Sequence, residues 1–230
     1  MKILYSYRTE EERNRAAEAL GQYEVFYHEG SLQKGSWDGK GVDIACVFVD
    51  SVIGPSELEK LPDLKFIATK STGFDHIDLK SAKERKIVVS NVPAYGEHTV
   101  AEFTFALILM LTRNMYQAHE RVTKEGSFNA NSLAGTDLFG KTIGILGTGR
   151  IGRNVIKIAK GFGMNVIAMD LYPNKNLAKE EGFKYLKLEE VLATADIVSL
   201  HLPEDKTTHH IINKDKIGKM KKYALGVLTN

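Results

Sequence analysis

A single cysteine, Cys46, occurs in a chain of 230 residues, which excludes an intrachain disulfide framework and a structural zinc site built on cysteines. Charge is nearly balanced, with 31 Lys and Arg against 29 Asp and Glu, so there is no electrostatic footprint for nucleic acid. The most apolar stretch, Phe103–Leu111, falls short of the roughly 20 residues that span a bilayer. The chain turns charged soon after its start, unlike a signal peptide. We therefore expect a cytoplasmic protein without membrane, nucleic-acid or metal partners.

The remaining composition is that of an ordinary globular protein. Hydrophobic residues make up 43% of the chain and charged residues 26%, with a formal net charge of +2. Enough apolar side chains are present to bury a sizeable core, which excludes intrinsic disorder. Cys46 lies in an apolar run, and we expect it to be a small buried side chain rather than a reactive thiol.

Apolar runs of strand length alternate with helical patterns along the chain. The main predicted strands cover residues 2–7, 43–49, 64–69, 87–89, 141–146, 166–169, 197–200 and 224–228. This alternation predicts parallel sheets with helices on their faces, in two α/β units that meet near residues 93–100. A long helix predicted over residues 99–119 is apolar on nearly all sides, and we expect it to be buried between layers.

The strongest local signal is a glycine motif with the spacing G-x-G-x-x-G. It consists of Gly147, Thr148, Gly149, Arg150, Ile151 and Gly152. The motif follows an apolar strand and opens a helix that leads to a second strand, which is the context of a dinucleotide-binding loop. The first glycine permits the tight turn, the second lets a pyrophosphate approach the backbone, and the third lets the helix pack closely on the strand. The helix N-terminus offers N–H groups and a partial positive charge to phosphates.

Asp170 ends the second strand, 23 residues after Gly147. A carboxylate at this place accepts hydrogen bonds from the ribose hydroxyls of NAD and repels the 2′-phosphate of NADP, so the pattern favours NAD. The alternative interpretation is a glycine turn in an unrelated α/β protein, with Asp170 as a loop carboxylate.

Further motifs become recognisable on both sides of this loop. They are STGFDHIDL (Ser71–Leu79), NVPAY (Asn91–Tyr95), TVAEFTFALIL (Thr99–Leu109), LFGKTIGILGTGRIG (Leu138–Gly152), GFGMNVIAMD (Gly161–Asp170), ADIVSLHLP (Ala195–Pro203) and MKKYALGVLTN (Met220–Asn230). In this order they resemble the D-isomer-specific 2-hydroxyacid dehydrogenases, and most of all the D-lactate dehydrogenase branch. The resemblance covers nearly the whole chain, more loosely before residue 60.

The resemblance implies a two-domain α/β enzyme. Residues 98–230 would form a Rossmann-type NAD-binding domain, incomplete at its C-terminal end, and residues 1–97 the N-terminal part of a smaller, flavodoxin-like substrate domain. The family interconverts a 2-keto acid and its D-2-hydroxy acid by hydride transfer, which implies NAD as cofactor and a small 2-keto or 2-hydroxy acid as substrate. Its members are usually homodimers, and here residues 99–115 would supply the interface.

The family's binding positions are carried over one by one. On the substrate side, Ser71, Thr72 and Gly73 match a loop whose backbone N–H groups bind the substrate carboxylate, and Tyr95 matches an aromatic side chain beside it. The matched cofactor positions are Val100, Gly147, Thr148, Gly149, Arg150, Ile151, Gly152, Asp170, His201, Leu202, Pro203, Thr208 and Asn230. Val100 and Asn230 correspond to the nicotinamide end, and the 201–208 loop corresponds to the adenosine and its ribose.

The sequence departs from the family where the catalytic residues are concerned. The family's catalytic arginine follows the strand matched by GVLTN, and its glutamate and histidine come later still, so none of the three matches a residue here. We interpret His76, His98 and His201 as structural rather than catalytic, and we name no catalytic residue. The expectation is that the chain is an N-terminal portion of the enzyme, inactive and poorly stable by itself.

Three functional hypotheses remain open. The first is an NAD-dependent D-2-hydroxyacid dehydrogenase acting on a small keto acid such as pyruvate. The second is a non-catalytic NAD(H)-binding module. The third is the product of a truncated gene. The sequence does not indicate which 2-hydroxy acid the enzyme would use.

Overall fold

The structure is a computed structural model, and it describes residues 1–229. The chain forms two compact units: the first is Met1–Tyr95, and the second begins at Gly96. Each unit has its own parallel sheet and its own buried core.

The first unit is an α/β sheet of five parallel strands. Its elements, in chain order, are β1 (Lys2–Tyr7), α1 (Glu10–Leu20), β2 (Glu24–Glu29), β3 (Ile44–Val47), α2 (Pro55–Glu59), β4 (Phe66–Thr69), α3 (Leu79–Glu84) and β5 (Val88–Ser90). The strand order β2-β1-β3-β4-β5 is the doubly wound order 2-1-3-4-5. Its core is built from aliphatic side chains such as Leu4, Val47 and Ile67, all completely buried.

The second unit has the same kind of architecture. Its elements are α4 (Glu97–Thr112), α5 (Met115–Glu125), β6 (Thr142–Leu146), α6 (Arg150–Gly161), β7 (Asn165–Met169), α7 (Lys175–Glu180), β8 (Lys184–Tyr185), α8 (Leu188–Thr194), β9 (Ile197–Leu200), α9 (Lys214–Ile217) and β10 (Leu225–Leu228). All neighbouring strands are parallel, in the order β10-β9-β6-β7-β8, so β6 is central. Counted along the chain this is the order 5-4-1-2-3, as in a Rossmann-type fold. The predicted fold class is confirmed.

Both faces of the second sheet are covered, which explains why its strands read as continuous apolar runs. On one face, Ile143 and Ile145 pack in a core with α4 and α6. On the other, Leu146 and Val198 pack with α8. Gly144 lets α8 lie close, because a Cβ there would come within 2.5 Å of the Val191 side chain.

The single long helix predicted over residues 99–119 is wrong in two respects. The helix is interrupted after Thr112, and α5 starts only at Met115, because Asn114 adopts a left-handed conformation with φ of 48°. The Asn114 amide stabilises the break by donating to the backbone carbonyls of Leu133 and Ala134. The helix is also not buried on every side, since Phe103 is 57% exposed and Leu111 54% exposed in this chain.

Smaller differences concern short elements and the cysteine. The helices α3 and α7 and the two-residue strand β8 were not predicted. His209 and His210 lie in turns before α9. Cys46 is half-buried on β3, and burial raises the pKa of its thiol to about 11, as suits a packing role. Between residues 1 and 229, no helix combines the length and apolarity needed to cross a bilayer, and no three potential metal ligands cluster.

Candidate cofactor- and substrate-binding sites

Three predicted residues of the second unit meet at one edge of its sheet. Gly147 follows β6, Asp170 follows β7 and His201 follows β9, each directly after its strand. Since β6 lies between β7 and β9, the chain leaves β6 in one direction and later returns on its other side. Ligands of open parallel sheets bind in the crevice at such a switch point, beyond the carboxyl ends of the strands.

The glycine loop is shaped by two close backbone approaches. Gly147 has φ of +95°, which favours glycine, and a Cβ there would lie 2.6 Å from the carbonyl oxygen of His201. At Gly152 a Cβ would lie 2.0 Å from the carbonyl oxygen of Gly147. The Gly147 amide donates to Met169 O at 2.8 Å, which ties the loop to the end of β7. Neither glycine can be replaced without moving backbone.

Gly149 differs from both, because a Cβ at this position would meet no atom within 4 Å. Gly149 is also the residue that caps α6, and it offers no side chain to the first turn of that helix. No acidic residue lies in the first turn of α6. The positive end of a twelve-residue helix therefore faces open space, which is the arrangement that binds phosphate. Arg150 and Ile151 lie in this first turn.

Asp170 is bound to the same loop. Its Oδ2 accepts from the Thr148 amide at 2.6 Å and from the Thr148 hydroxyl at 2.8 Å, and its Oδ1 accepts from the Tyr172 amide at 2.8 Å. Burial by itself would raise the pKa of Asp170, but these hydrogen bonds outweigh it and hold the pKa below its usual value. The carboxylate is therefore charged at neutral pH beside the phosphate end of the loop.

His201 is only 9% exposed, and its ring nitrogens have different surroundings. Nε2 lies 2.8 Å from the Ser199 hydroxyl. Within the described residues, Nδ1 is buried without a hydrogen-bond partner. Burial lowers the pKa of His201 to about 4, so the ring is neutral at physiological pH. A buried polar atom of this kind calls for an explanation, and a bound ligand would supply one.

The loop after His201 is held together by its own side chains. Thr208 donates its hydroxyl proton to Pro203 O at 2.5 Å and accepts from the Asp205 amide at 2.8 Å. Leu202, Pro203 and Thr208 line a cavity of about 420 Å³ together with residues of β10. Thr208 thus shapes the loop, since its only proton is used within it.

Val100 lies in the first turns of α4, half-buried. Thr104, one turn later, donates to Val100 O at 2.8 Å and lies 3.0 Å from the hydroxyl of Thr229, just after β10. This contact places the start of α4 at the same edge of the sheet as the glycine loop. Asn230 lies outside the described residues.

Tyr185 was not singled out by the sequence, but it belongs to this edge. Its hydroxyl lies 2.8 Å from Thr148 Oγ1 and accepts from the Asn174 amide at 3.2 Å. No sequence motif marks it, because β8 is only two residues long. Together, the open space at Gly149, the lack of a side-chain cap at the start of α6, the charged Asp170 and the Nδ1 of His201, which has no partner among the described residues, fit a dinucleotide cofactor.

The predicted substrate loop follows β4 in the first unit. The hydroxyl groups are used within the first unit: Ser71 donates to Gly73 O at 2.7 Å and Thr72 donates to Val92 O at 2.9 Å. The Asn91 side chain fixes the loop further by donating to Thr72 O at 2.8 Å. In the described part of the chain, the amides of Thr72 and Gly73 have no protein acceptor. A loop with fixed carbonyls and available N–H groups suits a carboxylate ligand.

Two other residues of the first unit complete the comparison with the sequence. Tyr95 is an exposed aromatic residue at the end of this unit. His76 is half-buried, and burial lowers its pKa although Asp75 and Asp50 oppose the shift. Its backbone carbonyl accepts from the Ile53 amide at 2.8 Å, in keeping with a structural role.

The second unit thus has the fold and the site of a dinucleotide-binding α/β protein. Residues 105–229 match the family described as D-isomer specific 2-hydroxyacid dehydrogenase, NAD binding domain. The chain belongs to the D-isomer-specific 2-hydroxyacid dehydrogenase family, whose cofactor is NAD.

Individual relatives agree with this assignment. The chain is 42% identical to 2-hydroxyacid dehydrogenase homolog 1 of Schizosaccharomyces pombe over 205 residues, covering 87% of this chain and 61% of that protein. It is 34% identical to the D-lactate dehydrogenase of Escherichia coli over 215 residues, covering 93% and 65%. The structure of Aquifex aeolicus D-lactate dehydrogenase in complex with NAD and lactic acid superposes with a TM-score of 0.90 at 35% identity, covering 98% and 68%. The chain spans about three fifths of the length of the first of these relatives.

Proposed function

We propose that this chain supplies the NAD-binding and carboxylate-binding parts of a dehydrogenase that interconverts a small 2-keto acid and its D-2-hydroxy acid. The observation that carries the proposal is the assembly of Gly147, Asp170 and His201 at the switch point of the second sheet. The resemblance to D-lactate dehydrogenases favours a substrate of the size of pyruvate.

Each unit has a separate task in this proposal. Residues 98–230 would bind NAD, with phosphate at the start of α6 and ribose hydroxyls at Asp170. Residues 1–97 would bind substrate, with its carboxylate at the amides of Thr72 and Gly73 and Tyr95 beside it. NAD supplies the hydride acceptor or donor when bound, and the residues of this chain orient it and select it against NADP.

No residue of the chain matches the family's catalytic arginine, glutamate and histidine. His201 is an unsuitable proton donor at neutral pH, because burial holds its pKa near 4. We therefore expect the 230-residue polypeptide to bind NADH without oxidising it at a measurable rate in the presence of pyruvate.

The helix α4 is the proposed contact surface of a homodimer. One face of α4 packs in the core of the second unit through Phe105 and Ile108. Phe103 and Leu111 stay more than half exposed in the single chain. Large apolar side chains on an exposed helix face are typical of a protein–protein contact.

The direct test is calorimetric titration of the 230-residue chain with NADH, followed by an absorbance assay with pyruvate. We expect saturable binding that falls about tenfold or more in Asp170→Ala, since a hydrogen bond to a charged group contributes about 1.5–3 kcal/mol. Asp215→Ala, an exposed carboxylate on α9, is the control and should bind as the unmodified chain does.

The outcomes separate the three functional hypotheses. Binding without turnover supports the proposal, and a longer chain carrying an arginine, glutamate and histidine should then reduce pyruvate. Binding in a longer chain that never turns over would favour a non-catalytic NAD(H)-binding module. Absence of binding would favour the product of a truncated gene and would contradict the proposal.

A further inference from the structure

A continuous chain of hydrogen bonds links the short strand β8 to the carboxylate of Asp170. The Asn174 amide lies 3.2 Å from the Tyr185 hydroxyl, which lies 2.8 Å from Thr148 Oγ1. Thr148 Oγ1 in turn lies 2.8 Å from Asp170 Oδ2. This hydrogen-bond chain thus joins three segments of the sequence, around Thr148, residues 170–174 and Tyr185, and it ends on the residue that would bind the ribose.

The chemistry of the groups fixes the direction of every bond. An ionised carboxylate only accepts, so Thr148 donates its single hydroxyl proton to Asp170. Thr148 Oγ1 must then accept the proton of Tyr185, and the Tyr185 oxygen accepts from the Asn174 amide. Each bond polarises the next in the same sense, which strengthens the set as a whole.

The side chains that form this hydrogen-bond chain are held in place by packing. Thr148 is only 4% exposed. The ring of Tyr185 packs edge-on against Phe183, with ring centroids 5.1 Å apart and planes at 68°. Tyr185 therefore presents its hydroxyl to Thr148 from a fixed ring.

The hydrogen-bond chain determines how Asp170 can use its two carboxylate oxygens. Oδ2 accepts both the amide and the hydroxyl of Thr148, which leaves it little further capacity. Oδ1 accepts from the Tyr172 amide and has lone-pair capacity left. A carboxylate tied at both oxygens cannot turn away from a ligand without losing several hydrogen bonds.

We propose that Tyr185 is a positioning residue that acts through Thr148 to hold Asp170 toward the cofactor ribose and thereby selects NAD over NADP. This inference rests on the proposed function, and it adds a residue that none of the sequence motifs contains. Tyr185 need not touch the cofactor. Its effect is to keep the negative charge of Asp170 where a 2′-phosphate would have to lie.

Removal of the Tyr185 hydroxyl frees the Thr148 hydroxyl to rotate and weakens its bond to Asp170. The carboxylate then loses part of its alignment toward the ribose hydroxyls, so NADH binds more weakly. The Thr148 and Tyr172 amides still hold the carboxylate, but less firmly against a 2′-phosphate, so NADPH gains from reduced repulsion about as much as it loses in alignment. The ratio of the two affinities is therefore the diagnostic quantity.

The test is calorimetric titration of the full 230-residue chain and its Tyr185→Phe variant with NADH and with NADPH. Phenylalanine keeps the ring packing against Phe183. We expect the Kd for NADH to rise about threefold to tenfold, as for the loss of one net hydrogen bond. The Kd for NADPH should stay within about twofold of its value in the unmodified chain. The preference for NADH over NADPH should therefore narrow by about the factor by which the Kd for NADH rises.

Four further variants make the result specific. Tyr223→Phe removes an exposed phenol outside this edge and should change neither Kd. Thr148→Val should weaken NADH binding, and Thr148→Ser should restore most of the loss because it returns the hydroxyl. The double variant Tyr185→Phe/Thr148→Val should bind NADH no more weakly than Thr148→Val alone, since both interrupt one chain. The melting temperature of each variant is measured to verify that the variant is folded.

If Tyr185→Phe weakened the binding of NADH and NADPH by the same factor, the inference would be overturned, because this result would indicate a general structural role for Tyr185. Additive losses in the double variant would overturn it as well. Unchanged binding in Tyr185→Phe would overturn this inference while leaving the proposed function in place. Failure of the unmodified chain to bind NADH would instead refute the proposed function, and the inference with it.

Discussion

Alanine substitutions at Gly149 and Gly152 should separate the space for the cofactor from the space for packing within one loop. A Cβ at Gly152 would lie 2.0 Å from the carbonyl oxygen of Gly147, more than 1 Å inside van der Waals contact, and the obstacle is backbone. A Cβ at Gly149 would meet nothing within 4 Å. The first substitution should therefore damage the fold, and the second should damage cofactor binding.

The magnitudes follow from the type of contact. Overpacking costs about 1–3 kcal/mol, and a clash with backbone belongs at the upper end. For a chain of this size each kcal/mol lowers the melting temperature by about 2–4 °C, so Gly152→Ala should melt about 6–12 °C lower. Gly149→Ala loses only a favourable helix cap, about 1 kcal/mol, but a clash with the pyrophosphate should weaken NADH binding about fivefold to 150-fold.

The assay combines thermal melting by circular dichroism with calorimetric NADH titration at a temperature where all variants are folded. Gly161→Ala is the matched control, because Gly161 lies on the same helix and its Cβ would also meet nothing within 4 Å. It should melt no lower than the unmodified chain and bind NADH equally well, since alanine favours helix. The reasoning would be refuted if Gly152→Ala melted at the same temperature as the unmodified chain, or if Gly149→Ala bound NADH as tightly as the unmodified chain.

Three further predictions concern ionisation, reactivity and assembly. Because burial lowers the pKa of His201 to about 4, protons favour the unfolded chain, and stability should fall by about 3 kcal/mol as pH drops from about 6.5 to 4. Between these pH values, the melting temperature should fall less steeply with decreasing pH in His201→Gln than in His209→Gln. Identical slopes of melting temperature against pH would contradict the prediction. Since burial raises the pKa of the Cys46 thiol to about 11, a disulfide reagent at pH 8 should label the folded chain on the order of a hundredfold more slowly than the unfolded chain; equal rates would argue against a packed thiol. Light scattering should give a smaller mass for Phe103→Lys/Leu111→Lys than for the unmodified chain, and an unchanged dimer would exclude α4 as the interface.

Much of the fold is visible in the sequence because strands buried on both faces must be continuously apolar. The run before Gly147 is of this kind, and β6 occupies Thr142–Leu146 in the centre of its sheet. The break between α4 and α5 was not predictable in the same way. Asn114 is stabilised in its left-handed conformation by carbonyls of Leu133 and Ala134, some twenty residues later, so a local pattern carries no trace of it.

The candidate site likewise contains residues that the sequence predicts and residues that it does not. Gly147 and Asp170 were predicted because their spacing reflects one strand, one helix and a second strand, all contiguous in the chain. Tyr185 was missed because its contact with Thr148 depends on how a two-residue edge strand pairs with β7. The roles of the Ser71 and Thr72 hydroxyl groups were also beyond prediction, since only the folded structure shows that they donate to the carbonyls of Gly73 and Val92.

The close approach of Gly147 to the carbonyl of His201 bears on the order of events during folding. The segment from β6 through α6 to β7 is contiguous and can associate early, whereas β9 joins β6 only across the fifty residues that separate the two strands. Closing such a long loop costs entropy before its contacts form, so this pairing should come late. The glycine loop lacks one wall until then. A nascent chain released before β9 would carry the complete phosphate motif and still have no finished nucleotide site.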